Sequence, residues 1–125
     1  MSESDGIEDV FVHNLGAGQT SRVSVASGGA QSNGSSYFPS ISMYGYYVAF
    51  ASEATTLISR DTTMVPDIFI HDLYTGQTSR VSVASDGTQG DGLSLRSSIS
   101  ADGRYVAFES WASNLVSDDT NTMAD

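Results

Sequence analysis

Short segments of β-branched and aromatic residues alternate along the chain with polar segments rich in glycine and serine. Two of the apolar segments are residues 9–15 and 67–73, and they lead into the Gly-containing turns 16–19 and 74–77. Residues of this kind favour strands, and a Gly-containing turn after such a run is typical of a hairpin. Each segment is therefore predicted to be a strand that enters a hairpin.

The predicted return strand is the same in both places. The ten residues GQTSRVSVAS occupy positions 18–27 and again positions 76–85. Inside the first copy Arg22, Ser24 and Ala26 alternate with Val23 and Val25. Because successive side chains of a strand point to opposite faces, this period of two predicts a strand with its valines on one face.

A second hairpin is predicted further along each half of the chain. In the first half it comprises residues 40–42, a turn at Tyr44-Gly45 and the apolar run 47–50; in the second half the turn is Asp102-Gly103. Asp-Gly is a strong hairpin signal because both residues accept the positive φ angles of a two-residue turn. No segment has the periodicity of a helix.

The chain is a tandem repeat with a period of 58 residues. Shifting the sequence by this amount aligns Asp9 with Asp67 and His13 with His71 without a gap, and more than half of the aligned pairs are identical. Four strands per period without a helix favour an all-β fold made of β-propeller blades. The predicted organisation is an N-terminal tail (1–8) followed by propeller repeat 1 (9–66) and propeller repeat 2 (67–124).

Two motifs resemble the TolB-like (WD40-like) β-propeller repeat. They are SISADGRYVAF at residues 98–108 and the pattern D-[VI]-F-[VI]-H-[ND]-L-x-x-G-Q-T that begins each repeat. The resemblance implies that the hairpin of the first motif supplies the two inner strands of a blade, and that the other two strands are the outer ones. The first repeat departs from the pattern at its turn, where Met43-Tyr44-Gly45-Tyr46 replaces Ala-Asp-Gly-Arg.

The same resemblance implies a phase for the strands. The chain would begin with outer strands (9–15 and 20–26), continue with one whole blade (about 38 to 84) and finish with inner strands (about 96 to 110). Two blades leave apolar faces uncovered, and propellers close with roughly four to eight blades. We therefore expect a ring formed by self-association, with three chains and six blades favoured and four chains second; the alternative is a fragment of a longer propeller.

The composition narrows the choice of partners. Fifteen acidic and five basic residues give a net charge of -10, which argues against binding to nucleic acid or to anionic membranes. The chain has no cysteine. Its acidic beginning is unlike a signal peptide, and its apolar runs are far shorter than a membrane span, so the sequence as written predicts a cytoplasmic protein, although the family it resembles is often periplasmic or extracellular.

Few residues are candidates for chemistry. His13 and His71 hold equivalent strand positions, which favours packing or hydrogen bonding over a catalytic or metal pair. Asp119, Asn121 and Asp125 supply oxygens at alternating spacing, a weak calcium-loop pattern whose alternative is a capped polar turn. No other cofactor is expected.

Three further side chains carry an expectation. Arg22 and Arg80 are expected to pair with acidic neighbours such as Asp72 or to extend to the surface, and Trp111 is expected to pack or to line a pocket beside a loop. No nucleophile motif and no acid–base constellation is present. The sequence thus favours a non-catalytic module that binds a protein or a small ligand; the alternative is an enzyme with a site at the channel mouth, shared between subunits.

Overall fold

The computed structural model describes residues 6–58, 65–117, 119 and 123–125, and in these residues the fold is all-β without a helix. The prediction of an all-β fold is confirmed. Eight strands are present: β1 (Phe11–Asn14), β2 (Gln19–Arg22), β3 (Ser36–Ile41), β4 (Tyr47–Ser52), β5 (Asp67–Asp72), β6 (Thr78–Arg80), β7 (Ser94–Ile99) and β8 (Val106–Ser110).

The strands form three antiparallel sheets. A central sheet has the order β3-β4-β5-β6, and it is flanked along the chain by the pairs β1-β2 and β7-β8. This grouping of two, four and two strands is the one that the resemblance to the TolB-like repeat implies. In the central sheet β4 pairs with β5 over its whole length, from Tyr47 opposite Asp72 to Ser52 opposite Asp67.

The return strands are shorter than the sequence predicts. β2 ends at Arg22 and β6 at Arg80, before the valines. The backbone N–H of Val23 donates to the Val10 carbonyl, and the consecutive residues Val23 and Ser24 are both buried. The alternation of faces therefore stops after the arginine, and the prediction that the valines continue one strand face is wrong.

The hairpin at Asp102-Gly103 is also wider than a two-residue turn. Gly103 has a φ of 76°, but Asp102 is not among the residues with positive φ. Ser100 N–H donates to the Tyr105 carbonyl at 2.8 Å and Gly103 N–H to the Ser100 carbonyl at 3.0 Å. The Asp102 carboxylate accepts hydrogen bonds from the Ser100 hydroxyl and from Arg104 N–H. These bonds hold Asp102 within a loop that is longer than two residues.

A bulge interrupts β3 and β7 at the same repeat position. The register of the two hairpins shifts after Tyr37 and after Leu95, and the next residues, Phe38 and Arg96, have φ angles of 55° and 56°. The Arg96 guanidinium carbon lies 5.9 Å from the centre of the Phe38 ring. β3 and β7 are thus neighbours, and the N–H of Ile99 also donates to the Ser40 hydroxyl of β3.

The core joins the first pair of strands to the central sheet. Val10 and Val23, which flank β1 and β2, pack with Phe50 of β4 and Phe69 of β5. The remaining buried members of the cluster are Val48, Ala54 and Leu57. Burial of this apolar surface is the main stabilising term for a small β domain.

Candidate functional site

The repeated stretch GQTSRVSVAS contributes an arginine and a serine to a buried polar cluster in each repeat. In the second repeat the Ser82 hydroxyl donates to Asp67 Oδ1 at 2.9 Å and accepts from Ile68 N–H at 3.1 Å. Arg80 Nε lies 3.9 Å from Asp67 Oδ2, and both side chains are almost fully buried. A buried carboxylate needs such partners because desolvation of an unpaired charge is costly.

The first repeat reproduces the arrangement. The Ser24 hydroxyl donates to Asp9 Oδ1 at 2.8 Å and accepts from Val10 N–H at 3.1 Å, while Arg22 Nε lies 3.6 Å from Asp9 Oδ2. The structure accounts for the shared arginine and serine of the repeated stretch: in each repeat they contact the aspartate at or just before the start of the preceding strand, Asp9 or Asp67. In each repeat this cluster stabilises the packing of the strands.

The predicted acidic pairing of Arg22 and Arg80 is confirmed, but the proposed partner Asp72 is wrong. Residues alternate between the faces of β5, so Asp67, Phe69 and His71 share the face that carries Arg80, which stands opposite Phe69. Asp72 lies on the other face and accepts from the N–H groups of Tyr74 and Thr75 instead.

The two histidines make equivalent hydrogen bonds in different surroundings. His71 Nδ1 lies 2.7 Å from the Thr78 hydroxyl, which donates to the Val25 carbonyl, so Nδ1 carries the proton that the hydroxyl accepts. His13 Nδ1 lies 2.6 Å from the Thr20 hydroxyl, but that pair is exposed. Burial lowers the pKa of His71 against the opposing charge of Asp72. Both histidines bond within their own hairpins, as expected for a packing role.

Thr78 also fastens the central sheet to the first repeat. Its N–H donates to the Ser27 hydroxyl at 2.9 Å, and its hydroxyl donates to the Val25 carbonyl at 2.7 Å. The counterpart Thr20 is exposed, whereas Thr78 is buried. Thr78 is covered because Val25 and Ser27 of the first repeat lie against β6.

The same contrast runs along the edges of the flanking strand pairs. Phe69 of β5 is fully buried, whereas its counterpart Phe11 of β1 is 46 % exposed. Ala49 of β4 is fully buried, whereas its counterpart Ala107 of β8 is exposed. The residue types are identical in each comparison, so residue type does not explain the difference in exposure. Phe69 and Ala49 are buried because β4 and β5 pair with each other.

A cavity of about 480 Å³ opens at the end of the second repeat. It is lined by Phe108, Ala112, Leu115 and Val116, with Asp119 and Asp125 among the other lining residues. Their apolar counterparts in the first repeat are members or neighbours of the core cluster that Phe69 completes. The cavity corresponds to the position that an equivalent of Phe69 fills in the central sheet.

The calcium pattern stays a prediction. Asp119 and Asp125 both line this cavity, and the backbone of Asp125 exchanges two hydrogen bonds with Ser110 on β8, but Asn121 lies outside the described residues. In the part of the chain that the structure describes, no three His, Cys, Asp or Glu side chains come together as a metal-binding group. Trp111, which the sequence predicts to pack or to line a pocket beside a loop, is 54 % exposed.

A second cavity, of about 290 Å³, lies at the turn end of the central sheet and is lined by Tyr46, Tyr47, Asp72 and Tyr74. Tyr47 stands directly opposite Asp72 in the β4–β5 ladder, and Leu73 N–H donates to the Tyr46 carbonyl at 2.8 Å. Burial alone would raise the pKa of Asp72, but hydrogen bonds from Thr75 and Tyr74 lower it below its usual value. We call these four side chains the tyrosine cavity.

Sequence reasoning missed the tyrosine cavity. The available signal was the departure of Met43-Tyr44-Gly45-Tyr46 from the turn of the second repeat, which placed an aromatic residue where the other copy has Arg104. The contributions of Asp72 and Tyr74 depend on the pairing of β4 with β5, which brings the two turns to one end of the sheet.

Comparison with protein-family models gives no match for this chain, and comparison with curated proteins gives none either. Among the described residues there is no helix of the length and hydrophobicity needed to cross a bilayer. The geometry of the chain itself therefore carries the functional argument.

Proposed function

We propose that the chain is a non-catalytic β-propeller module that closes a ring with further copies of itself and serves as a scaffold for binding a protein or a ligand. The observation that carries this proposal is the matched exposure of β1 and β8. Phe69 and Ala49 are buried where β5 meets β4, whereas their repeat counterparts, Phe11 on β1 and Ala107 on β8, are exposed.

The two exposed edges are complementary to each other. β8 has the sequence of β4 at four of the five positions 106–110, and β1 retains the phenylalanine and the histidine of β5. Placing β1 of a second copy beside β8 in the β4–β5 register sets its Phe11 opposite Phe108, as Phe69 stands opposite Phe50. The phenylalanine ring would then enter the 480 Å³ cavity. Pairing would also cover the edges of β1 and β8, and natural β-sheets commonly protect their edge strands.

A second set of groups matches in the same docking. Thr78 bonds to Val25 and Ser27 of the preceding repeat. The same bonds in the next position would join Thr20 of a second copy to Val83 and Ser85. Asp125 now occupies the place on Ser110 that corresponds to Asp67 on Ser52, so Asp9 of the second copy would displace it.

The propeller arrangement is part of the proposal. The close approach of β3 and β7, with the N–H of Ile99 on the Ser40 hydroxyl, fits two blades whose inner strands face a common axis. The resemblance to the TolB-like repeat supports four-stranded blades and a six-bladed ring. A head-to-tail contact that closes after three chains gives a trimer, and four chains are the second choice.

Light scattering coupled to size exclusion tests the assembly. Each chain has a mass of 13.2 kDa, so a trimer has a mass of about 40 kDa, three times this value. Phe11→Ala should shift the particle towards the monomer, whereas Met43→Ser, at an exposed residue of the β3–β4 turn, should not. A monodisperse 13.2 kDa particle for the unchanged chain contradicts self-assembly.

A further inference from the structure

The tyrosine cavity has a composition suited to one class of ligand. Three tyrosines and one aspartate line it, and two of the tyrosines are mostly solvent-exposed, with Tyr46 at 56 % and Tyr74 at 88 %. Aromatic faces attract cations through the ring quadrupole, and aromatic cages are used to recognise quaternary ammonium groups. We infer that the tyrosine cavity binds a trimethylammonium group, a function that does not depend on the proposed ring.

The fold does not require these side chains. The first repeat has Asn14 and Gly16 where the second has Asp72 and Tyr74. Asn14 Oδ1 accepts from Gly16 N–H at 2.9 Å and from Ala17 N–H at 3.0 Å, which are the turn contacts that Asp72 makes with Tyr74 and Thr75. A carboxylate and an aromatic ring are therefore additions to a turn that forms equally well without them.

One wall of the cavity is held firmly. The Tyr47 ring lies against Gly103 in the adjacent β7–β8 turn, so closely that a side chain at Gly103 would overlap the ring. Tyr47 is also fixed by its place opposite Asp72 in the ladder. A positioned ring beside a carboxylate reduces the ordering that a ligand must impose when it binds.

Charge and size favour a small cation over a neutral sugar. Asp72 is ionised at neutral pH, and the whole chain carries a net charge of -10, which attracts cations to the surface. The volume of about 290 Å³ is at the lower end of typical ligand pockets, which suits a compact head group. The ammonium group could belong to choline or to a trimethylated lysine, and the two sources share the same recognised chemistry.

NMR titration of the full chain tests the inference with three probes. These are choline, its neutral analogue with tert-butyl in place of trimethylammonium, and a short trimethyllysine peptide. Both cations should shift the resonances of Tyr46 and Tyr74, and the tighter of the two identifies the source. Equal affinity for choline and for the neutral analogue, or no shift with either cation, overturns the inference.

The first repeat supplies conservative variants. Asp72→Asn should lower the affinity for choline and leave the affinity for the neutral analogue unchanged, with a residual preference for choline from the tyrosine rings. Tyr74→Gly should weaken choline binding about two- to fivefold, the effect of losing one exposed cation–π contact. Tyr105→Ala changes the counterpart of Tyr47, which lies outside the cavity lining, and should leave the affinity unchanged. Unaltered binding in Asp72→Asn and Tyr74→Gly contradicts the site.

Assembly and binding can be separated in one further experiment. Phe11 is remote in sequence from the tyrosine cavity and is not among its lining residues. Phe11→Ala should therefore bind choline as the unchanged chain does, whatever its mass. Loss of binding in this variant would contradict a site contained in the central sheet of one chain.

Discussion

Phe50 and Phe69 stack across the β4–β5 ladder with ring centroids 6.0 Å apart and 27° between their planes. Both side chains are fully buried, and they join the central sheet to Val10 and Val23 of the first repeat. The equivalent pair, Phe108 and Phe11, is divided between the two ends of the chain.

Phe69→Ala should destabilise the chain far more than Phe11→Ala. Truncation of a fully buried phenylalanine costs about 3–5 kcal/mol of unfolding free energy, because it removes apolar burial and leaves a void. For Phe11, 46 % exposed, the loss should be about 1 kcal/mol in dilute protein. Urea denaturation at low protein concentration measures both losses of unfolding free energy. Equal losses would contradict the different roles of the two rings.

The Asp67–Arg80 pair predicts a strongly non-additive double substitution. Asp67→Ala alone should lower the free energy of unfolding by about 3–5 kcal/mol, because it removes the carboxylate that lies beside the buried Arg80 guanidinium. Replacing both residues with apolar ones of similar volume should recover most of that loss. Denaturation of the two single variants and the double variant measures the coupling; additive losses would show that the two charges do not interact.

His71 predicts a pH dependence of stability near neutrality. Burial lowers its pKa in the folded chain, so below the ordinary histidine pKa the unfolded chain binds more protons than the folded chain. Stability should be fully present above pH of about 6.5 and should fall as the pH drops below that value. The aspartates with lowered pKa values titrate in a more acidic range and do not overlap with this window.

The measurement is the urea midpoint as a function of pH for three proteins. His71→Gln should lose the dependence, and His13→Gln, changed at the exposed counterpart, should retain it. A midpoint that stays constant between neutral and mildly acidic pH in the unchanged chain would contradict the buried, neutral state of His71.

Two glycines in equivalent turns should differ in their tolerance of alanine. Gly45 has a φ of 74°, and a Cβ there would meet the Ile41 side chain at an ordinary contact distance of 3.8 Å, so Gly45→Ala should cost about 1 kcal/mol, the penalty for a left-handed conformation. Gly103→Ala adds a Cβ that overlaps the Tyr47 ring, and repacking should raise the cost by about 1–3 kcal/mol. Thermal denaturation of both variants provides the comparison; equal shifts would show that Tyr47 moves freely.

The positions of the strands could be predicted because the tandem repeat and the β-branched runs mark them twice. Their ends could not, because β2 and β6 stop where Val23 and Val81 begin hydrogen bonding to the start of the preceding strand. The burial of Ser24 and Ser82 could not be predicted either. A serine that alternates with valines along a strand suggests a solvent-facing position, and only the hydrogen bonds to Asp9 and Asp67 account for its burial.

The tyrosine cavity illustrates a different limit. The sequence shows that positions 46, 72 and 74 differ between the repeats, but not that they meet. Tyr46 and Asp72 come together because the full β4–β5 ladder aligns two turns that are far apart in the chain. In a repeat protein, positions that differ between copies and converge in space are the informative ones.

The buried polar clusters remain whole when the flanking strand pairs are separated from a neighbouring copy. Asp9, Arg22 and Ser24 all lie in or directly beside the β1–β2 pair, and Ser94 bonds to Ser110 within the β7–β8 pair. Docking would therefore add strand pairing and mostly apolar contact, without assembling a new buried ion pair. Apolar burial contributes a large negative heat-capacity change and weakens on cooling. A ring joined in this way should weaken on cooling, and added salt should favour it by screening the repulsion between chains that each carry a net charge of -10.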